Sequence, residues 1–295
     1  MLVDQLCYIW ATTLKHLKMK KNLRYAFLIA LMSGAGLLIS QGQNDILNRV
    51  EKMPVVELDP SSGVSSGMII GQKLNEAIIG NSNFDLQTYN SIEQRTFVYP
   101  DGTVGATWMM AFQTDWPDRG IGYNYFDGSS WGEYPTESIA SVRTGWAGYA
   151  PLGENGEVAV GHANIDDEWV LLFCKREEKG SGAWEEFALS GPEPGVGIVW
   201  PAIVTGGTDH NTLHILGLSN GNEYMGQGAA LLYSRSSDGG ETWDIQNHFF
   251  EEIGPDYFTS IGAETYAFAQ PKDNIIAFSV GFDDGHGGIF TVSYT

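Results

Sequence analysis

The stretch best suited to chemistry is "QTDWPDRG", residues 113–120, in which two aspartates stand beside a tryptophan and an arginine. Its functional side chains are Asp115, Trp116, Asp118 and Arg119. A carboxylate can transfer protons or accept hydrogen bonds, a guanidinium binds anions through a planar fork, and an indole offers an apolar face for stacking. Carboxylates mixed with stacking aromatic rings suit a carbohydrate ligand.

Other polar loops combine charged and aromatic side chains in the same way. Besides Trp116 and Arg119, the candidate ligand-binding residues are Arg143, Trp146, Asp167, Tyr224, Glu264 and Tyr266. Each of these taken alone has a simpler explanation, because loops normally carry solvated charges and packed rings. The hypothesis of a site therefore depends on an architecture that brings these loops together.

The stretch "LLYSRSSDGGETWD", residues 231–244, predicts a tight turn between two strands. The residues that define this turn are Ser236, Asp238, Gly240, Thr242 and Trp243. The aspartate can accept backbone N–H bonds within the turn, the serine can support it, and the glycine supplies a backbone conformation closed to other residues. Calcium binding is the alternative interpretation, but the acidic spacing is not that of an EF-hand loop. We therefore predict a structural turn, with no metal and no cofactor.

A repeat of four strands runs along the chain from about residue 90. Segments 95–112 and 120–134 form the first unit, and each of the first three units ends in a Gly/Ser turn with a tryptophan. These tryptophans are Trp131, Trp184 and Trp243. Periodic four-stranded units with a Gly/aromatic signature predict an all-β fold, a β-propeller of four-stranded blades. A sandwich of irregular hairpins is the alternative, and the aligned tryptophans disfavour it.

The fourth unit of the repeat is incomplete. Residues 289–295 align with 231–237, so the sequence stops where the next Gly/Trp turn is expected. Three and a half blades would leave open sheet edges on both sides. We therefore expect the sequence to be a C-terminally truncated part of a longer protein, whose intact propeller has six blades.

Residues 236–243 resemble the Asp-box, or BNR repeat, of the sialidase superfamily of propellers, in its secreted bacterial form. Stretches 126–131 and 176–184 look like degraded copies of that box. The resemblance implies that each box joins the third and fourth strands of a blade, on the side away from the active centre. It also implies that loops between second and third strands, and loops between blades, share the opposite face. That face would gather the candidate ligand-binding residues.

The resemblance implies catalytic candidates as well. Arg95 occupies the place of the first carboxylate-binding arginine, although its flanking residues are changed, and Asp115 or Asp118 falls where the acid/base aspartate would lie. Glu264 and Tyr266 could imitate the family's Glu/Tyr pair, but their close spacing on one strand favours structural packing. The family's other arginines and its tyrosine come from later blades. We therefore expect the chain as given not to hydrolyse sialosides.

The N-terminal region predicts export. Residues 19–42 have the basic start, short apolar run and small polar end of a secretory signal peptide. Residues 1–18 are interpreted as a misassigned upstream extension, 43–80 as a linker and 81–295 as the partial propeller. A retained membrane anchor is the alternative. The prediction is a secreted or cell-surface protein with no membrane span in its mature chain.

The net charge of the chain limits the classes of partner that it is expected to bind. The formal net charge is -20, which disfavours nucleic acids and anionic membranes as partners. Carbohydrate or an extracellular protein is the expected partner. Cys7 and Cys174 have no metal-ligand spacing, and His210 and His214 lack a third ligand.

Three functions remain open at this point. The first is a secreted sialidase-like propeller that binds glycan or protein without catalysis. The second is an exo-sialidase-type glycoside hydrolase completed by further sequence, and the third is a structural propeller module of a larger surface protein. Only six arginines follow residue 42, which favours the first function.

Overall fold

A computed structural model describes residues 76–87, 94–263, 265–272 and 275–281, and the backbone of a last strand at 290–294. The strands, in chain order, are β1 (Thr96–Val98), β2 (Val104–Met110), β3 (Gly120–Phe126), β4 (Thr144–Leu152), β5 (Gly156–Ile165), β6 (Glu168–Arg176), β7 (Glu185–Ser190), β8 (Val196–Gly206), β9 (Thr212–Gly221), β10 (Leu231–Ser236), β11 (Ile245–Phe249), β12 (Tyr266–Phe268), β13 (Ile276–Val280) and β14 (Phe290–Tyr294). Within the described ranges the sole helical element is the short 3-10 turn Glu251–Ile253. No helix in this part of the chain has the length and apolar character needed to cross a membrane.

The strands form four antiparallel sheets that follow one another along the chain. The sheets are β1-β2-β3, β4-β5-β6-β7, β8-β9-β10-β11 and β12-β13-β14, and in each of them neighbours in sequence are neighbours in space. The expectation of an all-β chain of successive strand units is confirmed. The first sheet differs from the expected unit of four strands, because Trp131 forms only an isolated bridge with Phe126.

In the second and third sheets, burial falls from the first strand to the last. All nine residues of β4 are buried, whereas β7 has one buried residue among six. A strand buried on both faces must lie between other elements, and β4 packs on both β2 and β8. Strands β4 and β8 therefore face the interior, and β7 and β11 face solvent.

Three apolar clusters fill the spaces between successive sheets. Met109 and Tyr149 belong to the first cluster, Phe173 and Ile203 to the second, and Phe278 to the third. Each of these side chains is at most 2% exposed. Burial of one such side chain stabilises a fold by about 1.5–3 kcal/mol, so the stacking of sheets holds the architecture together.

Segment 76–87, which precedes β1, completes the edge of β2 where β1 is too short to cover it. The Gln87 side-chain amide both donates to the Met109 carbonyl and accepts from the Met109 N–H, each at 3.0 Å. The Ala111 N–H donates to Ser82 Oγ at 3.1 Å. Segment 76–87 thus supplies, partly through side chains, hydrogen bonds that a further strand would make.

The first strands β4 and β8 carry matching irregularities. In β4 a bulge between Gly145 and Gly148 holds Trp146 at a φ of 54°. The corresponding bulge in β8 holds Trp200 at a φ of 57°. A left-handed conformation costs a residue with a side chain on the order of 1–3 kcal/mol, and such strain clusters at functional sites. Both bulges turn a tryptophan toward the same region.

Candidate functional site

A row of aromatic rings links the second and third sheets beside these bulges. The Trp146 and Trp200 rings meet edge-on with centroids 4.1 Å apart, and Trp146 stacks on His162 at 5.7 Å. His162 in turn contacts the Trp169 ring at 5.5 Å. Trp169 and Trp200 are half-buried, so part of each indole remains open to solvent. The row can pack against a flat apolar face of a ligand.

Two arginines approach the same row from the first and second sheets. The Arg119 backbone N–H and the Arg143 Nε–H both donate to the Trp116 carbonyl, at 3.2 and 3.1 Å. Arg119 Nε–H donates to the Thr144 carbonyl at 3.0 Å, and its guanidinium lies 5.9 Å from the Trp146 ring centre. Short backbone-directed bonds therefore fix both side chains at their Nε atoms.

The two guanidinium groups lack a carboxylate partner among the described residues. The ion pairs found there involve Lys175, Arg176, Lys179 and Arg235. Partial burial, reinforced by the positive charge of Arg143, lowers the pKa of Arg119 to about 10. Arg119 is therefore still a cation at neutral pH, held close to a second cation, which is an arrangement suited to binding an anion.

His162 is a neutral member of this site. Its Nδ1 accepts the Trp200 N–H at 3.1 Å, and because a backbone N–H can only donate, the ring proton must lie on Nε2. Burial, followed by the charges of Arg119 and Arg143, lowers the pKa of His162 to about 3. The ring thus joins the second sheet to the β8 bulge without carrying charge.

Gly145 provides the space that lets these groups meet. A Cβ atom built on it would lie 2.4 Å from His162 Nε2 and 2.8 Å from Arg119 Nη2. Beside it, Trp146 Nε1 and Thr144 Oγ1 are buried and have no hydrogen-bond partner in the described part of the chain. Any residue with a side chain at position 145 would force His162 and Arg119 apart.

The structure thus brings Trp116, Arg119, Arg143 and Trp146 together, and it places the two candidate acid/base residues in the loop between β2 and β3. Asp118 accepts the Phe112 and Gln113 N–H groups, at 2.8 and 3.2 Å. These backbone hydrogen bonds lower the pKa of Asp118, Phe112 contributing most. Asp115 is exposed, with a φ of 61°. Asp118 therefore serves to close its own loop.

Arg95 lies at the covered edge of β2. Its Nη1 donates to Gln87 Oε1 at 3.0 Å, and its carbonyl accepts the Thr107 N–H at 2.8 Å. Since Gln87 Oε1 also accepts from Met109, the arginine supports the hydrogen bonds that complete this sheet edge. No described contact joins Arg95 to Arg119 or Arg143.

Tyr266 reaches the aromatic row through its hydroxyl. The ring is 3% exposed, and the hydroxyl donates to the Trp200 carbonyl. It therefore braces the β8 bulge from the fourth sheet. Glu264, its expected partner, lies outside the described residues, as do the sequences predicted as upstream extension (1–18) and signal peptide (19–42).

Asp167 and Tyr224 lie in two other loops. Asp167 occupies the turn between β5 and β6 with a φ of 66° and lines a groove of 360 Å³ together with Glu193. Tyr224 lies in the loop before β10, where its ring meets Phe249 at 6.4 Å. Neither residue has a described contact with the arginine pair.

The serine–aspartate turn joins β10 to β11, the third and fourth strands of their sheet. Asp238 accepts the Thr242 N–H and hydroxyl, at 2.8 and 2.6 Å, and Ser236 Oγ accepts the Gly240 N–H at 2.8 Å. These bonds, led by the Thr242 hydroxyl, lower the pKa of Asp238 to about 2. The Trp243 ring lies 5.8 Å from Phe173. The Ser236, Asp238 and Thr242 side chains therefore hold one another within the turn.

A second polar cluster lies between the first two sheets, around a fully buried carboxylate. Glu157, with no exposed surface, accepts the hydroxyls of Tyr123 and Tyr149 and lies 2.6 Å from two guanidinium nitrogens of Arg176. The Gly180 N–H donates to it at 2.9 Å. Burial raises the pKa of both tyrosines well above the usual range. Every lone pair of this carboxylate is engaged, so the cluster locks the sheets together.

No metal-binding site is evident among the described residues. No group of three or more His, Cys, Asp or Glu side chains among the described residues could hold a metal ion. His214 Nδ1 instead shares a hydrogen bond with the Tyr233 hydroxyl at 2.8 Å. Cys174 is buried, and burial raises the pKa of its thiol to about 12, so it is a packed apolar side chain.

Three residues of the site were not among the sequence candidates. They are Trp169, Trp200 and His162, and all three lie within strands. The contact between His162 and Trp200 spans 38 residues, which no local pattern reveals. A glycine before Trp146 and a proline after Trp200 were the available signals of the bulges, because both residues mark irregular strands.

Comparison with known proteins adds distant structural neighbours. No model of a known protein family matches the chain, and no curated protein matches it. Solved structures that resemble it include a protein of unknown function from Dyadobacter fermentans (13% identity, TM-score 0.44, 68% of this chain and 59% of that one). A family 117 glycoside hydrolase from Zobellia galactanivorans (12%, 0.43, 68% and 65%) and an α-L-arabinofuranosidase from Fusarium graminearum (15%, 0.44, 74% and 64%) are further examples. The chain spans less than two thirds of each of these structures, and similarities of this size do not establish a common fold.

Proposed function

We propose that the protein binds an acidic sugar through Arg119 and Arg143, without transforming it. The observation that carries this proposal is the pairing of two guanidinium groups beside the aromatic row, with no carboxylate partner among the described residues. A ligand carboxylate would accept paired N–H bonds from such groups. The half-buried rings of Trp169 and Trp200 would pack against the sugar ring.

The overall charge of the chain makes this site distinctive. With a formal net charge of -20, most of the molecule repels anions. Charges farther apart than about 8 Å are largely screened at physiological ionic strength, so the local cations decide what binds beside them. The pair Arg119 and Arg143 therefore selects an anionic group even on an acidic protein.

Binding without turnover is part of the proposal. A general acid needs a pKa near the working pH, yet hydrogen bonds to Asp118 lower its pKa. Arg95 is engaged with Gln87 at the edge of β2. The candidate residues for sialidase-type catalysis thus have structural contacts that account for them.

The architecture proposed for this function is a sialidase-like β-propeller. Its support is the succession of four antiparallel sheets and the packing of β4 against β8. In addition, Gln270, beyond β12, donates to Gln94, before β1, at 3.0 Å, so the first and fourth sheets approach each other. Export to the cell surface or beyond is proposed from the signal-like sequence at 19–42.

Calorimetric titration of the protein with glucuronic acid, and with glucose as the neutral control, tests the proposal. The two sugars differ in the carboxylate, so glucuronic acid should bind and glucose should bind at least about tenfold more weakly. Arg143→Ala should remove that preference, because the exposed guanidinium provides anion binding and little packing. Arg235→Ala is the matched control, since Arg235 pairs with Asp244 beside the serine–aspartate turn.

Two outcomes would contradict the proposal. Equal affinity for both sugars would exclude recognition through the carboxylate. Release of product from a fluorogenic sialoside or glucuronide would favour the hydrolase function, especially if Asp118→Asn abolished it.

A further inference from the structure

We propose that His162 donates its Nε2–H to the carboxylate of the bound sugar, as a third and uncharged donor beside Arg119 and Arg143. This inference rests on the proposed function, since it names a further residue of the same binding site. It gives the buried imidazole a role in recognition in addition to its place in the aromatic row.

The position of the imidazole proton is fixed by the fold. The Trp200 N–H donates to Nδ1 at 3.1 Å, which leaves Nε2 as the protonated nitrogen. A hydrogen bond accepted at one ring nitrogen polarises the ring and strengthens donation from the other. The β8 bulge therefore prepares His162 as a donor.

Gly145 lets that donor lie beside the Arg119 guanidinium. Nε2 of His162 and Nη2 of Arg119 lie within 2.4 and 2.8 Å of the position that a Cβ on Gly145 would take. Two N–H donors thus converge beside a residue that has no side chain. Within the described ranges, neither nitrogen has a hydrogen-bond acceptor, so a ligand oxygen within hydrogen-bond distance of both would satisfy them together.

An uncharged donor suits this position better than a third cation. Arg119 and Arg143 already repel each other, and their charges disfavour a proton on the nearby imidazole. These are the charged groups that act on His162. A neutral N–H adds a hydrogen bond to the ligand oxygen without adding to that repulsion.

The competing role for His162 is structural, limited to holding the Trp200 backbone. Two substitutions separate the roles, because asparagine places an acceptor near the position of Nδ1, whereas glutamine places a donor near the position of Nε2. His162→Asn keeps the bond to Trp200 and removes the donor. His162→Gln keeps the donor and gives up the acceptor.

Titration of each variant with glucuronic acid and glucose, with thermal unfolding as a check of folding, tests the inference. We expect His162→Asn to bind glucuronic acid about tenfold more weakly than the wild type, and His162→Gln to retain most of the affinity. A purely structural role predicts the reverse order, and that order would overturn the inference. Unchanged affinity in His162→Asn would overturn it as well.

Nitrogen-15 spectra of the wild-type imidazole keep the test independent of variant folding. The Nε2–H resonance of His162 should shift when glucuronic acid is added and stay in place with glucose. A spectrum showing the Nδ1–H form, or no shift on saturation with glucuronic acid, would overturn the inference alone. Failure of the wild type to bind glucuronic acid at all would overturn the proposed function together with it.

Discussion

Strand β5 carries a charged cluster near its start and a polar site near its end. The two differ in whether their charged groups have oppositely charged partners among the described residues. At the start, the Glu157 carboxylate accepts from two tyrosines, Arg176 and a backbone N–H. Near the end, His162 lies beside Arg119, whose guanidinium lacks an acidic partner in the described ranges. Glu157, whose carboxylate is fully hydrogen-bonded, and His162, which lies beside an arginine with no acidic partner in the described ranges, are five positions apart on this strand.

The comparison shows that burial of polar groups does not by itself mark a binding site. Glu157 has no exposed surface, and its partners consume its hydrogen-bonding capacity. The arginine pair is anchored through its Nε atoms, and its guanidinium groups have no carboxylate partner among the described residues. Substitutions at the first cluster should therefore change stability, and those at the second should change binding.

The largest effect is expected from Glu157→Gln. Loss of the carboxylate leaves Arg176 as a buried charge without its partner. Removing one partner of a buried ion pair typically lowers the free energy of unfolding by about 3–5 kcal/mol. Urea denaturation should show this loss of unfolding free energy. Glu154→Gln, an exposed glutamate of the preceding turn, is the control and should change stability by less than about 0.5 kcal/mol. Equal stability of the two variants would refute the locking role of the cluster.

Gly145→Ala should weaken binding strongly while costing less stability than Glu157→Gln. The added Cβ collides with His162 Nε2 and Arg119 Nη2, so affinity for glucuronic acid should fall by at least about tenfold. Gly228→Ala is the matched control, because its Cβ would meet Ser260 at 3.7 Å, an ordinary contact. Wild-type affinity in Gly145→Ala would show that the two nitrogens need not converge.

The pH dependence of stability should reveal the contribution of His162. An unfolded histidine has a pKa near 6.5, whereas burial lowers that of His162 to about 3. Below pH 6.5, His162 therefore binds a proton in the unfolded chain but not in the folded chain. The free energy of unfolding falls as the pH falls from 6.5 toward 3. Denaturation at pH 7 and pH 5 should show a smaller loss in His162→Asn than in the wild type. Parallel losses would contradict the prediction.

The smallest effect is expected from Asp238→Asn in the serine–aspartate turn. The substitution replaces one of two oxygens that accept from Thr242, in an exposed turn. The thermal midpoint should fall slightly, and affinity for glucuronic acid should not change. Asp127→Asn, which alters the related turn before Trp131, should behave alike, and a change in affinity for either variant would place these turns at the binding site.

The succession of strands was predictable from the sequence because its signals are local. Turn residues such as Asn155 and Gly156, between apolar runs, mark hairpins wherever they occur. The three-stranded first sheet was not predictable, since the stretch before Trp131 resembles its counterparts and differs only in how little of it pairs.

The candidate site was predictable in part, for a physical reason. Arg119 and Arg143 stood in loops of suggestive composition, and they do converge on Trp116. Asp118 looked equally suggestive, yet its role depends on backbone N–H groups that a sequence does not display. His162 and Trp200 meet through a backbone hydrogen bond at a bulge, and bulges leave only weak traces in residue types.

The Gln87 amide, which pairs with the backbone of Met109, also bears on the solubility of the protein. An uncovered strand edge can pair with another chain and begin aggregation. One side chain here closes the part of β2 that β1 leaves open. A version of the protein that begins after residue 87 would expose that edge, and self-association through β2 would follow.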